Sequence, residues 1–167
     1  MLITDPPYNV QIMGHVRGKG SVQHREFSMA AGEMSPPEFT TFLKTSFLLM
    51  ARYSQEGSIH YIFMDWRHMS EILAAGHAVY DSLRNLCVWC KDNAGMGSFY
   101  RSQHELNFVF RKGKASHINN FELGQHGRHR SNVWRYPGIN SFAGRKGPEG
   151  DLLKLHPTIK PVDLIAD

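Results

Sequence analysis

The first 110 residues alternate between short apolar runs and amphipathic stretches, and this alternation limits the fold more than any other feature of the sequence. The runs Leu2–Thr4, Ile59–Met64 and Leu86–Trp89 have the β-branched and aromatic composition of short strands. Between them, apolar residues recur at spacings of three and four, as on one face of a helix. Strand and helix patterns in this order predict an α/β fold.

The first helix has a well-defined predicted beginning. Ser35 precedes two prolines and Glu38, a pattern typical of an N-cap, a proline in the first turn and a capping box. The residues that follow form an apolar stripe suited to cover a sheet, namely Phe39, Phe42, Leu43, Phe47 and Met50. We expect this helix to end near Gly57 and a second helix to span Arg67–Ser82.

The second half of the chain has fewer regular patterns. Residues 106–110 alternate enough for a fourth strand, and because no helix precedes it, we predict that it runs antiparallel to the third. The order β-α-β-α-β-β then predicts a mostly parallel sheet with an antiparallel element near one edge. Little regular structure is expected from Gly113 until residues 161–165, where a helix begins that Asp167 cuts off.

Several classes of protein are disfavoured by composition. The 167 residues suit one domain, and their apolar runs fall far short of the roughly 20 residues of a membrane span. No signal-peptide pattern opens the chain, so a soluble protein of the reducing cytoplasm is expected. Cys87 and Cys90 are the only cysteines, and residues three apart on a strand face opposite sides. We therefore expect no metal site.

The tetrapeptide Asp5-Pro6-Pro7-Tyr8 directly follows the first predicted strand. The Asp5 carboxylate and the Pro6 carbonyl are two acceptors for the hydrogens of one amino group, and the prolines hold that carbonyl rigidly. Tyr8 offers a flat face on which a planar ring can stack. The same residues also fit a simple turn, so the tetrapeptide alone leaves two interpretations open.

A second segment narrows this choice. Residues 156–161 read His-Pro-Thr-Ile-Lys-Pro, and Asn93–Gly97, Tyr100–Arg101 and His104–Glu105 lie between the two segments. In this order they resemble the S-adenosylmethionine-dependent amino-group DNA methyltransferases of the permuted beta type, in which an HPTxKP segment follows the DPPY half. The resemblance covers almost the entire chain. The Asp at the first motif position, rather than Ser, is similar to the adenine-modifying enzymes.

The resemblance implies a Rossmann-like methyltransferase sheet and methyl transfer to the exocyclic amino nitrogen of an adenine flipped out of duplex DNA. The lone pair of that nitrogen is delocalised into the ring. Hydrogen bonds to Asp5 and Pro6 would localise it, and Tyr8 would stack on the base. The implied catalytic residues are therefore Asp5, Pro6, Pro7 and Tyr8.

The cofactor implied by the resemblance is S-adenosylmethionine. The residues expected near it are Asp5, His156, Thr158 and Lys160. A cation and a hydroxyl among them would bind the cofactor's carboxylate. In the alternative interpretation, Pro157 and Pro161 only mark the start of a helix, and Lys160 is a solvated surface charge.

The chain departs from the family pattern at the cofactor site. Family members carry a glycine-rich strand-to-helix turn, and Gly95-Met96-Gly97 lacks the helix and the acidic partner that such a turn needs. In the beta order the missing turn would follow Asp167. We therefore expect the catalytic part of a longer enzyme, inactive by itself, whose exposed sheet edge at Leu2–Thr4 promotes self-association.

The net charge of +4 and the pI near 9.2 favour a polyanionic partner, here double-stranded DNA. Basic residues crowd into residues 111–155, which we expect to contact DNA and recognise the target, although a solvated loop has the same composition. The candidates for phosphate contacts are Arg128, Arg130, Arg135, Arg145 and Lys146.

Other functions remain compatible with these patterns. A cytosine-amino methyltransferase needs the same amine geometry. A catalytically incomplete remnant would keep the base pocket and bind DNA without methylating it. A methyltransferase acting on RNA or on a protein glutamine is less favoured, because the glutamine-modifying enzymes generally carry Asn in place of Asp5.

Overall fold

The computed structural model describes residues 1–11, 27–95, 99–139, 141 and 158–167. Its elements are the strands β1 (Leu2–Thr4), β2 (Ile59–Met64), β3 (Ser82–Cys90), β4 (His104–Arg111) and β5 (Val133–Arg135), and the helices α1 (Pro36–Arg52), α2 (Met69–Val79) and α3 (Val162–Ala166). The chain divides into two compact units. The first unit comprises residues 1–6, 35–88 and 106–133, and the second comprises residues 7–34, 89–105 and 134–167.

The five strands form one mixed sheet in the order β1-β2-β4-β3-β5. β1 runs parallel to β2, with Leu2 opposite His60, and β4 runs antiparallel to β2, with Phe108 opposite Ile62. The predicted α/β fold is therefore confirmed. No helix in the described ranges is long and apolar enough to cross a membrane.

The antiparallel strand β4 is the third of the five strands. The prediction that an antiparallel element lies near one edge of a mostly parallel sheet is therefore wrong. Burial explains the difference, because every residue from Leu106 to Phe110 is buried, whereas β3 exposes Arg84 and Asn85. A strand that is covered on both faces has a nearly continuous apolar sequence, and residues 106–110 have this pattern apart from Asn107.

Helix α1 begins where the sequence predicted. The Glu38 carboxylate accepts hydrogen bonds from the Ser35 backbone N–H at 2.8 Å and from the Ser35 hydroxyl at 2.6 Å. Phe39, Leu43 and Phe47 of the predicted stripe are fully buried. The helix ends at Arg52, which is earlier than predicted, and the residues up to Gly57 form turns.

Helix α2 is shorter than the predicted range Arg67–Ser82. A 3-10 turn at residues 66–68 precedes it, and the backbone becomes extended at Tyr80 before β3 begins at Ser82. Gly76 permits close packing on the sheet, because a Cβ there would lie 2.2 Å from the Phe110 ring. The Tyr80 and Phe110 rings stack with centroids 5.1 Å apart, so the core of the first unit lies between the two helices and β4.

The last described segments contain one unpredicted strand and one predicted helix. β5 follows Asn132, whose carbonyl accepts a 2.7 Å hydrogen bond from the Val88 N–H and whose side chain donates to the Leu86 carbonyl at 3.0 Å. β5 has only three residues, too few for a recognisable alternation. Helix α3 matches the helix predicted at residues 161–165.

Candidate functional site

Asp5 directly follows the last residue of β1, and its side chain is exposed. The parallel neighbour β2 ends at Met64, so both strands point their carboxyl ends in the same direction. In α/β sheets, ligands bind outside the carboxyl ends of the strands. Asp5 and Pro6 therefore lie just beyond the carboxyl end of β1, where a ligand site is expected.

The remaining residues of the tetrapeptide, Pro7 and Tyr8, belong to the second unit. The Tyr8 ring is half-buried, and its hydroxyl donates a 3.1 Å hydrogen bond to Oε2 of Glu105. A hydrogen bond at this position restricts rotation of the ring. Tyr8 thus has a fixed hydroxyl and a partly accessible aromatic face.

Asn9 fixes the backbone directly after Tyr8. Its φ is 52°, a left-handed value that Asn tolerates better than most residues. The buried amide oxygen accepts hydrogen bonds from the N–H groups of Gly32 at 3.0 Å and Met34 at 3.2 Å, and the amide nitrogen donates to the Met34 carbonyl at 2.8 Å. Sequence reasoning missed Asn9, although an Asn after a Pro-Pro-Tyr turn is a residue suited to positive φ.

Glu105 lies between two lysines. Its Oε1 is 2.5 Å from Nζ of Lys91, and its Oε2 is 3.0 Å from Nζ of Lys160. Only 16% of the Glu105 side chain and 8% of the Lys160 side chain are exposed. Burial by itself would raise the pKa of Glu105, but the two ammonium groups overcome it and lower the pKa to about 2. Glu105 is therefore ionised and acts only as a hydrogen-bond acceptor.

Trp89 supports this group of charges from the end of β3. The indole is 2% exposed, and its Nε1 donates to the Tyr136 carbonyl at 2.8 Å. The Lys91 ammonium lies 4.6 Å from the Trp89 ring centroid and the Lys160 ammonium 6.0 Å from it. Both distances suit a cation–π interaction. We call Trp89, Lys91, Glu105 and Lys160 the charged cluster.

Three members of the charged cluster were not among the predicted site residues. Trp89 and Lys91 lie in or after a strand, where the sequence indicates only core and solvent, and Glu105 was named only within a segment that carries the family resemblance. Their roles depend on contacts between residues far apart in the chain. No local signal identifies them.

The residues predicted to bind a cofactor have mixed outcomes. Lys160 belongs to the charged cluster, Thr158 is half-buried, and His156 lies outside the described residues. Within the described ranges, no glycine-rich turn follows the carboxyl end of β1 or β2. The described residues thus provide a buried cation for an anionic group, and not the glycine turn.

The loop between β3 and β4 is held at its base by Arg101. Its guanidinium donates to the Gly95 carbonyl at 2.8 Å and to the Ala94 carbonyl at 3.0 Å. Phe99 and Tyr100 are 87% and 86% exposed, with ring centroids 4.4 Å apart. Their exposed aromatic faces are available for contact with a partner.

The predicted DNA-contacting residues are distributed over both units. In the first unit, the exposed Arg128 pairs with Glu122 at 3.0 Å, and the half-buried Arg130 lies 5.4 Å from the Phe121 ring centroid. In the second unit, Arg135 is exposed on β5. Arg145 and Lys146 lie outside the described residues.

Metal-binding chemistry finds no support in the described part of the chain. No group of three or more His, Cys, Asp or Glu side chains there is arranged to hold a metal ion. Cys87 and Cys90 are free thiols, and burial raises the pKa of Cys87 to about 11. A thiol with a raised pKa is a poor nucleophile at neutral pH.

Comparison with known proteins identifies the family. No curated protein matches the chain. A crystal structure of M1.HpyAVI is 15% identical over 61% of this chain and 63% of that one, with a TM-score of 0.40. The crystal structure of an M1.HpyAVI-SAM complex is 14% identical over 96% of this chain and 65% of that one, with a TM-score of 0.46.

The chain thus spans just under two thirds of the length of these structures. The family model of the N6/N4 DNA methylases, whose description is "DNA methylase", matches residues 1–167 of the chain. This match covers the DPPY tetrapeptide, the charged cluster and α3. The chain therefore belongs to the N6/N4 DNA methylase family.

Proposed function

We propose that this chain is the catalytic part of an enzyme that methylates the exocyclic amino group of an adenine in duplex DNA. The observation that supports this proposal most directly is the exposed Asp5 carboxylate immediately after β1. It belongs to a tetrapeptide whose aromatic residue, Tyr8, donates a hydrogen bond to Glu105. Family membership supports an amino nitrogen of adenine or cytosine as the acceptor. Asp at the first motif position favours adenine, and the cytosine amino group is the alternative.

The proposed chemistry depends on the direction of hydrogen bonds. Asp5 and the Pro6 carbonyl are acceptors, so an amino group bound to both would direct its two hydrogens towards them. This geometry favours a pyramidal nitrogen whose lone pair is directed away from the two acceptors. The prolines restrict φ and hold the Pro6 carbonyl still during the reaction. Tyr8 would replace part of the stacking that a base loses when it leaves the duplex.

The proposed cofactor is S-adenosylmethionine, which supplies an electrophilic methyl group when bound. We assign its binding to Asp5, His156, Thr158 and Lys160. Chemically, the buried ammonium of Lys160 and the hydroxyl of Thr158 fit a carboxylate. An added carboxylate would share Lys160 with Glu105, and the second lysine of the cluster keeps the net charge there favourable for an anion.

DNA is the proposed partner, in the cytoplasm. We assign phosphate contacts to Arg128, Arg130 and Arg135, and to Arg145 and Lys146 by composition. Self-association through β1 stays a prediction. β1 pairs only with β2 in the described sheet, so its other side is an unpaired edge.

The decisive experiment identifies the methylated nucleoside. The purified enzyme of which this chain is the catalytic part is incubated with unmethylated plasmid DNA and S-adenosylmethionine carrying a labelled methyl group, and the digested DNA is separated into nucleosides. We expect label in N6-methyl-2′-deoxyadenosine. Label in N4-methyl-2′-deoxycytidine would select the alternative base.

Two controls make the result interpretable. Asp163→Ala removes an exposed carboxylate of α3 and should leave transfer unchanged, whereas Asp5→Ala should abolish it. DNA binding without any transfer, in a protein that binds the cofactor, would contradict the proposed activity and favour the catalytically incomplete remnant.

A further inference from the structure

Two residues of the charged cluster contact the Tyr8 side chain. The Lys160 ammonium lies over the ring, 5.4 Å from its centroid, and the Tyr8 hydroxyl donates to Oε2 of Glu105 at 3.1 Å. Lys160 contacts the same Oε2 at 3.0 Å. One carboxylate oxygen therefore binds both the edge of the ring and the cation above one of its faces.

Glu105 is itself held in place from its other side. Oε1 accepts a hydrogen bond from Lys91 at 2.5 Å, and Lys91 lies over the buried Trp89 indole. Both carboxylate oxygens thus have cationic partners, and an ionised acceptor gives the stronger class of hydrogen bond. The Tyr8 hydroxyl is attached to a group with little freedom to move.

We propose that Glu105 is a positioning residue, which holds the Tyr8 ring in the orientation in which a flipped base stacks on it. This inference rests on the proposed function, because it assumes that Tyr8 stacks on a base. It adds a role for two residues outside the tetrapeptide. The Lys160 ammonium over the Tyr8 ring helps to hold the ring in place through a cation–π interaction.

A Tyr8 ring that is already held in place lowers the entropic cost of binding a base. An aromatic side chain that is already in its bound orientation loses less rotational freedom when a base stacks on it. Removal of the hydroxyl or of its acceptor should therefore weaken stacking even though the ring remains. The contribution of the duplex phosphates should not change, because they contact other residues.

The test uses two fluorescently labelled duplexes that differ by one unpaired adenine. The unpaired base is already free to leave the stack, so the ratio of the two affinities reports on stacking. This ratio does not depend on cofactor, on methyl transfer or on the fraction of protein that is folded. We expect the unsubstituted chain to prefer the bulged duplex by about tenfold, as one stacked base would give.

Three variants address the proposal. Tyr8→Phe keeps the ring and both lysine contacts of Glu105, and should lower the preference about fivefold. Glu105→Gln should lower it similarly, and in the Tyr8→Phe background it should have little further effect, since both changes remove one hydrogen bond. Lys160→Met should also lower the preference because it removes the cation over the ring.

Matched controls separate positioning from folding. Tyr80→Phe removes another buried tyrosine hydrogen bond, and Lys44→Met removes an exposed lysine of α1. Both should leave the preference unchanged, although Tyr80→Phe should lower the melting temperature. If Glu105→Gln does not fold, Tyr8→Phe still decides, because it leaves the ion pairs intact.

The proposal is overturned if the unsubstituted chain shows no preference, if Tyr8→Phe keeps it, or if the two substitutions have fully additive effects. Failure of the proposed function has a different signature. In that case the enzyme of which this chain is the catalytic part transfers no methyl group, whatever the bulge preference of the variants.

Discussion

The ring of His60 and the hydroxyl of Tyr80 lie 2.9 Å apart in the core of the first unit, and the other ring nitrogen of His60 lies 2.9 Å from the Ser54 hydroxyl. His60 is fully buried. Burial lowers the pKa of His60 from 6.5 to about 4. The folded chain therefore favours the neutral imidazole.

This relationship predicts acid sensitivity. The contribution of neutral His60 to stability is complete above pH 6.5 and is lost as the pH falls through about 4. The free energy of unfolding should fall by about 3 kcal/mol across this window. Urea unfolding at a series of pH values measures it, and His60→Gln should flatten the curve in that range. The exposed His77 provides the control, since His77→Gln should leave the curve unchanged. A His60→Gln curve with the parental slope would contradict the assignment.

In the enzyme of which this chain is the catalytic part, Asp5→Ala should abolish methyl transfer without disturbing the fold. Asp5 is exposed at the end of β1, so its side chain contributes little to packing. Loss of an acceptor that orients the reacting amine should lower the transfer rate about a hundredfold or more. The measurement is transfer rate together with circular dichroism. Near-parental activity would refute the catalytic role.

Tyr8→Ala should weaken binding to DNA that contains a flipped or mismatched target by about 1–3 kcal/mol, because the stacking surface is lost. Tyr8→Trp should keep much of the binding, since it retains a flat face. Fluorescence anisotropy with matched and mismatched duplexes measures both. If the two variants bind like the parent, Tyr8 has a structural role instead.

The double variant Arg128→Ala/Arg130→Ala should weaken DNA binding equally for different sequences. Each lost phosphate contact should reduce the slope of log affinity against log salt by about 0.9. Arg52→Ala/Lys44→Ala, which removes two exposed cations of α1, serves as the control. Because Arg128 also pairs with Glu122, the double variant removes an ion pair of the loop as well as two cations. The single variant Arg130→Ala keeps that ion pair, so it shows how much of the change in salt slope depends on the loop. An unchanged salt slope would mean that both arginines face solvent.

Asn9→Ala should destabilise the second unit by about 2 kcal/mol, because the backbone groups of Gly32 and Met34 lose their partners. Asn9→Gly should lose somewhat less, since glycine tolerates the positive φ of this position. Denaturant unfolding measures both variants. The exposed Asn119 provides a control in Asn119→Ala. Equal stability of the Asn9 and Asn119 variants would show that the hydrogen bonds of the Asn9 side chain contribute nothing to stability.

The sequence by itself determined the elements whose signals are local. The Ser35–Glu38 capping box, the apolar stripe of α1 and the run of β2 each lie within a few residues, and the structure has each of them. The DPPY tetrapeptide and its place after a strand were readable for the same reason. So was the family, because its motifs occur as short ordered segments along the whole chain.

Only the tertiary structure decided the position of β4 and the surroundings of Tyr8. β4 lies between β2 and β3 with both of its faces buried, and its pairing with β2 joins residues more than 40 positions apart. Glu105 meets Tyr8 across 97 positions, and Lys160 meets both. Ion pairs and cation–π contacts depend on distance in space. No periodicity or spacing along the chain encodes them, so Glu105 and Lys91 look like ordinary polar residues until the strands are placed side by side.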